Sequence, residues 1–178
     1  VETYLRLSNK QDPKTEVILQ DISGGETATR EFKETLRWNI RSEQYDKQIT
    51  HSCLKTVCAF LNTDGGTLYI GVNDPGEPTG LSRDGFKNDD KFLLHFYNVI
   101  KQTMGEMAAT HVDARIVPME DCRVCQVICK RWRGTGLVVL KQTNGKEESF
   151  VRTGPSTVQL QISEVSEYLA SRDRDSGN

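Results

Sequence analysis

The sequence predicts an α+β domain, a mixed or antiparallel sheet with helices packed against it, and three observations carry that prediction. Its 178 residues suit one domain, and a chain of that length buries roughly 70% of the surface it exposes when unfolded. Apolar residues make up 36% and charged residues 27% of the chain, the mix of an ordinary globular protein rather than a disordered one. Helical and extended hydrophobic patterns are interspersed without strict alternation, which favours α+β over a doubly wound fold.

Residues 1–12 show no clear period and are expected to form a flexible arm or linker. The domain itself is expected over 13–172, with 173–178 as a charged, solvated tail. Glu16 to Ile22 reads as a short strand closed by the turn Ser23-Gly24-Gly25, and Thr29 to Thr35 as a second extended stretch. After a polar segment, Ile49, Cys53, Val57 and Leu61 recur every four residues, the apolar face of a helix. That helix stops at Asn62-Thr63-Asp64-Gly65-Gly66, where glycine permits positive φ.

Thr67 to Val72 has the composition of a buried strand ended by the turn Asn73-Asp74-Pro75-Gly76. A second helix opens at Asp89-Asp90 and turns Phe92, Phe96, Val99 and Ile100 inward. Four strands follow, at Val112–Val117, Val124–Lys130, Leu137–Leu140 and Ser149–Arg152. A last helix begins near Ser163 and presents Val165, Tyr168 and Leu169. There is no internal repeat and no low-complexity segment.

Composition narrows the function classes. Apolar runs such as Leu137-Val138-Val139-Leu140 are far short of the ~20 residues of a membrane span, and no basic-then-apolar leader opens the chain. Because it begins at Val1, the chain is expected to be a piece of a longer parent with other domains. Five cysteines at core-type positions suggest a reduced, cytoplasmic setting. Cys125 and Cys129 share one strand face, so small buried hydrophobes are expected and zinc is not. No phosphate loop, GxSxG elbow, HExxH or full GxGxxG occurs, so no ATP site is expected. His51, His95 and His111 lack ligand spacing.

The residues that suit chemistry are acidic and basic. Glu31-Phe32-Lys33 lies on an extended stretch, where strand geometry turns Glu31 and Lys33 to one face and Phe32 to the core. Glu26 enters the same strand, and Asp74 lies just past the end of a separate one. Carboxylates that converged on one point would need a divalent cation between them, Mg²⁺ or Mn²⁺, which can activate water for phosphodiester cleavage. The same Glu-x-Lys spacing equally suits a plain surface pair worth ~1 kcal/mol or less.

Net charge is −2, but seven basic residues face three acidic ones between Asp121 and Arg152. Within that stretch Lys130-Arg131-Trp132-Arg133 suits phosphates and base stacking, ahead of a flexing Gly134-Thr135-Gly136. Trp132 could equally cap the core, and Arg152 could reach a phosphate or pair with an internal carboxylate.

Three blocks carry a family resemblance: Glu26 to Thr35 with its Glu-Phe-Lys; Ala59 to Asp74 (AFLNTDGGTLYIGVND) with Gly80-Leu81; and Phe150 to Thr157 (FVRTGPST). The chain resembles the Schlafen/AlbA-like (AlbA_2) DNA-binding domain family from about Gly25 to Leu169. The resemblance implies a mixed α/β fold that handles nucleic acid, RNA favoured and DNA also open. It implies that Glu26, Glu31 and Asp74 ligate Mg²⁺ or Mn²⁺ while Lys33 orients water or phosphate, making the domain a metal-dependent endoribonuclease on structured RNA. Lys130, Arg131, Trp132, Arg133 and Arg152 would contact the nucleic acid. Asn73 stands where the family's Gly-Val-Asp-Asp motif has its first aspartate, a departure expected to alter the metal's outer shell. A single lobe would need a homodimer or another domain to enclose RNA. The alternatives are a non-catalytic nucleic-acid-binding or regulatory module of a larger protein, and a protein-interaction module.

Overall fold

A computed structural model describes residues 12–175; the expected arm, apart from Asp12, and the last three tail residues lie outside that range. The chain runs α1 (Pro13–Ser23), β1 (Arg30–Lys33), β2 (Trp38–Asn39), β3 (Gln44–Tyr45), α2 (Lys47–Asn62) and β4 (Gly66–Ile70). It continues through α3 (Asp89–Met104), α4 (Glu106–Ala109), β5 (Val112–Pro118), β6 (Arg123–Cys129) and β7 (Leu140–Lys141). β8 (Glu147–Thr153), β9 (Ser156–Leu160) and α5 (Ile162–Asp175) complete it. The fold is α+β with a mixed sheet, as the sequence predicts.

The main sheet has the order β1-β4-β6-β5; β1 runs parallel to β4 and the other neighbours are antiparallel. A smaller sheet, β7-β8-β9, is antiparallel throughout. α2 lies between the two. Asp46 caps its start by accepting from the Gln48 N–H at 2.8 Å, and every residue from Thr56 to Asn62 is buried. The larger core gathers around it, with Leu68, Ile70 and Val127 from the main sheet and Leu140 and Phe150 from the smaller one.

Strand alternation divides the main sheet's faces. Phe32, Tyr69 and Val124 join Ile18 and Ile22 of α1 in a second apolar cluster. Leu68 and Ile70 face α2, and because Glu31 and Lys33 pair with them in register, those two side chains project to the α2 side as well.

The structure departs from expectation in four places. Glu16–Ile22 is helix, not strand: Asp12 caps it by accepting from the Lys14 N–H at 3.1 Å, Pro13 opens it, and Thr15, Ile18 and Ile22 form its buried face. The strand expected over Leu137–Leu140 shrinks to Leu140–Lys141, because the Asn62 side chain satisfies Val138 in place of a neighbouring strand. β9 and the hairpin β2–β3 were not anticipated. Both are short and carry mixed polar residues without an apolar period. α5 continues to Asp175, beyond the expected domain limit at 172.

Candidate nucleic-acid interface

The geometry starts on β1. Lys33 Nζ lies 2.6 Å from Glu31 Oε1, and Arg152 Nη1 lies 2.9 Å from Glu31 Oε2, so both carboxylate oxygens already hold a cation. Arg152 reaches Glu31 from β8 and is almost sealed, its side chain 2% exposed. It also donates from Nη1 to Thr157 Oγ1 at 2.9 Å, from Nη2 to the Thr27 carbonyl at 2.7 Å and from Nε to the Ala28 carbonyl at 3.2 Å. Its guanidinium carbon sits 5.0 Å from the centre of the Phe60 ring. One arginine thus ties β8 and β9 to β1 and to the turn before it. Of the two roles open to Arg152, the structure shows the pairing with an internal carboxylate.

Glu26 and Asp74 stand elsewhere. Glu26 is exposed, and its Oε1 accepts from the Phe32 N–H at 2.9 Å, on the open edge of β1. Asp74 is at the exposed tip of a loop that Asn73 closes: its backbone N–H donates to the Glu77 carbonyl at 3.1 Å and its Oδ1 accepts from the Glu77 N–H at 2.8 Å. Gly76 of that loop lies against the Ile22 carbonyl and the Phe32 ring, on the α1 side of the sheet, away from the face that carries Glu31. Among the described residues, no group of three or more His, Cys, Asp or Glu side chains is arranged to hold a metal ion. In this arrangement the carboxylates of Glu26, Glu31 and Asp74 do not fit a common cation.

The basic segment divides by role. Lys130 and Arg133 are exposed. Trp132 packs against the larger core, its ring 4.9 Å from His111 and its backbone N–H donating to the Leu61 carbonyl at 2.7 Å. A Cβ at Gly134 would fall 2.2 Å from the indole, so that glycine is required by the packing of Trp132. The structure thus places Trp132 as a core cap. Arg131 lies 3.4 Å from Asp64 and donates at 3.4 Å to the Arg172 carbonyl.

Arg131 and Arg152, far apart in sequence, line one cleft of about 220 Å³ with Arg172, Thr63, Asp64, Tyr168 and Ser171. Among the described residues that line it, three are arginines and one, Asp64, is an acid. Arg172, the last residue of the expected domain, carries no expected role. It belongs to the cleft because α5 carries it over the end of α2, where Tyr168 donates to the Asn62 carbonyl at 2.9 Å and Arg172 to the Gly136 carbonyl at 3.0 Å. The helical spacing of Tyr168 and Arg172, four residues apart, is the signal that could have found it.

Buried cysteines take no part. Burial pushes the thiols of Cys53 and Cys58 up to about 12 and those of Cys125 and Cys129 up as well, so they stay protonated and pack as hydrophobes. Asp84 was missed. Fully buried, it accepts the N–H groups of Leu36, Arg37 and Trp38 at 2.8–3.1 Å and fixes the chain after β1. Burial outweighs those bonds and raises its carboxyl above the ordinary value.

The fold and the three sequence blocks meet in one family. The sequence model of that family matches residues 26–161, and the chain belongs to the Schlafen AlbA_2 family, a domain of nucleic-acid-binding type. Among solved structures it is similar to the DIP2311 protein from Corynebacterium diphtheriae, with a TM-score of 0.57 and 17% identity over 88% of this chain. The chain spans 31% of that protein's length, and the likeness is one of fold. No described helix is long and apolar enough to cross a membrane.

Proposed function

We propose that this domain binds nucleic acid, RNA in preference to DNA, with phosphates entering the cleft of Arg131, Arg152 and Arg172. The observation that supports this is the gathering of three arginines, remote in sequence, around one small cleft. Arg152, sealed by its bonds to Glu31, Thr157 and two backbone carbonyls, adds fixed structure to the cleft wall, while the more exposed Arg131 and Arg172 would meet the phosphate. Lys130 and Arg133, exposed on the adjoining chain, extend the positive surface along a backbone.

Fluorescence anisotropy with transfer RNA, single-stranded RNA and single-stranded DNA across a salt series tests the reading. Affinity should fall as salt rises, and Arg131→Ala with Arg133→Ala should flatten the slope by ~0.7 per lost contact on a single strand. Absence of binding at ~50 mM salt, or an isotherm that ignores salt, would sink it.

A second reading, a Mg²⁺- or Mn²⁺-dependent endoribonuclease, is favoured by one observation: Glu31 and Lys33 are bonded to each other, and Glu31 to an arginine that lines the same cleft. It requires Glu31 to exchange Arg152 for a cation, Glu26 and Asp74 to move toward it, and a second lobe from a homodimer or a parent-chain domain to complete the cradle. Cleavage of structured RNA with added Mn²⁺, lost in Glu31→Gln while binding persists, supports that reading. Intact RNA at micromolar protein in either metal rejects it and leaves the binding module standing.

A further inference from the structure

The opposite face of the main sheet carries a second cavity, distinct from the arginine cleft. It measures about 600 Å³ and opens between α1 and the sheet, within the size range of small-molecule sites. Its two walls differ in chemistry. The helix contributes Pro13, Ile18 and Val17, the last 65% exposed. The floor is one row of side chains across three neighbouring strands, because Tyr69 pairs with Gln126 and Gln126 with Arg115.

That row is fixed by its own hydrogen bonds. Arg115 Nε donates to Gln126 Oε1 at 2.7 Å, Gln126 Nε2 to Tyr69 Oη at 3.1 Å, and Tyr69 Oη to Asp21 Oδ2 at 2.5 Å. The other Asp21 oxygen takes Arg30, which also donates to the Gly25 carbonyl at 2.5 Å. Burial and Asp21 raise the Tyr69 pKa, so the floor stays neutral at its centre. Among the described residues that line it, Lys14, Arg30 and Arg115 stand around this floor and Asp21 is the one acid. Among the described residues neither the Arg115 amino groups nor the Lys14 ammonium has a protein acceptor, and Arg115 is exposed.

We infer that this cavity takes a nucleoside monophosphate unit, its base against exposed Pro13 and Val17 above the buried Tyr69–Gln126 row, its phosphate on Arg115 and Lys14. A bare anion would leave the aliphatic wall in water, and a purely apolar ligand would leave the guanidinium uncompensated. A flat heterocycle bearing a phosphate satisfies both walls. The inference does not rest on the arginine cleft.

The test is an amide-resolved NMR titration of the whole chain with AMP and UMP, alongside adenosine, inorganic phosphate and a 5′-phosphorylated tetranucleotide. AMP or UMP should shift amides of α1, β4 and β6. Arg115→Ala should weaken the affinity about tenfold or more, the loss expected for a charged hydrogen-bonding partner. Val17→Trp, at an exposed position that leaves the core untouched, should block the mouth to a similar degree. Equal or weaker binding of the tetranucleotide identifies a free nucleotide as occupant, tighter binding a strand end, and either upholds the inference. No shifts at millimolar AMP, shifts that survive both variants, or phosphate alone matching AMP overturns it.

Discussion

Asn62 ends α2 with a buried amide that stands in for a strand. Its Oδ1 accepts from the Val138 N–H at 2.7 Å, while Nδ2 donates to the carbonyls of Val138 at 2.9 Å and Phe150 at 3.1 Å. Asn62→Leu would remove these bonds inside the core, leaving the Val138 carbonyl only the Cys58 thiol at 3.4 Å and the Ser149 hydroxyl at 3.5 Å. Each such loss costs ~1–3 kcal/mol, so urea unfolding should show a destabilisation of about 3 kcal/mol or more. His51 and His95 supply a pH dependence. Burial lowers both pKa values below the ordinary 6.5, although Glu148 partly opposes this at His51. Above 6.5 the rings are neutral in both states and stability is unaffected. As pH falls through 6.5 the unfolded chain takes up protons first, so stability drops until the folded rings titrate too. Urea midpoints from pH 7.5 to 5, taken at about half-unit steps, should show the decline, and replacing both histidines with glutamine should flatten it. At this scale the alternation that sets Glu31 and Lys33 on one face was legible in the sequence. The partner of Glu31 was not, since Arg152 lies 121 residues away and only tertiary folding brings it there.

Elements were legible where one period ran long enough to outvote its neighbours. α2, β4 and α3 each carry an unbroken apolar pattern and stand close to where the sequence put them. α1 was misread because Val17-Ile18-Leu19 looks like a strand core, while the deciding signal, Asp12-Pro13 as cap and first turn, is brief. β7 was overextended because the apolar run Leu137–Leu140 says nothing about which groups will satisfy its backbone. The α2–β4 turn yields a test at this scale. Gly65 holds φ at +79°, its N–H reaches back to the Phe60 carbonyl at 2.9 Å, and a Cβ there would lie 2.6 Å from the Cys129 carbonyl. Gly65→Ala should therefore destabilise by more than ~1 kcal/mol, measured by thermal unfolding, rather than stabilise by trimming the unfolded chain's freedom.

Across the whole molecule, α2 is the part both sheets share. The larger core draws Leu68 and Val127 from one sheet and Leu140 and Phe150 from the other. Arg152 and Asn62 add polar ties from β8 to β1 and to the end of α2. Neither sheet can leave without opening the other's core. Tryptophan fluorescence, reporting on Trp38 and Trp132, and far-ultraviolet circular dichroism should follow one coincident transition in denaturant. Separated midpoints would mean that the smaller sheet unfolds by itself. The candidate site has the same composite origin: Arg131 follows β6, Arg152 lies in β8 and Arg172 in α5. No contiguous motif could have announced the cleft.

Glu26 has a consequence beyond any ligand. β1 is a border strand, and its outward Phe32 N–H is occupied by a carboxylate from its own chain. A foreign strand seeking to extend the sheet there would have to displace a charged group before making its first bond, so this border resists self-association. The far border, β5, exposes Asp113 and Arg115, and the charges there raise the same obstacle. Extension of this sheet by a second lobe is thus disfavoured at both of its margins.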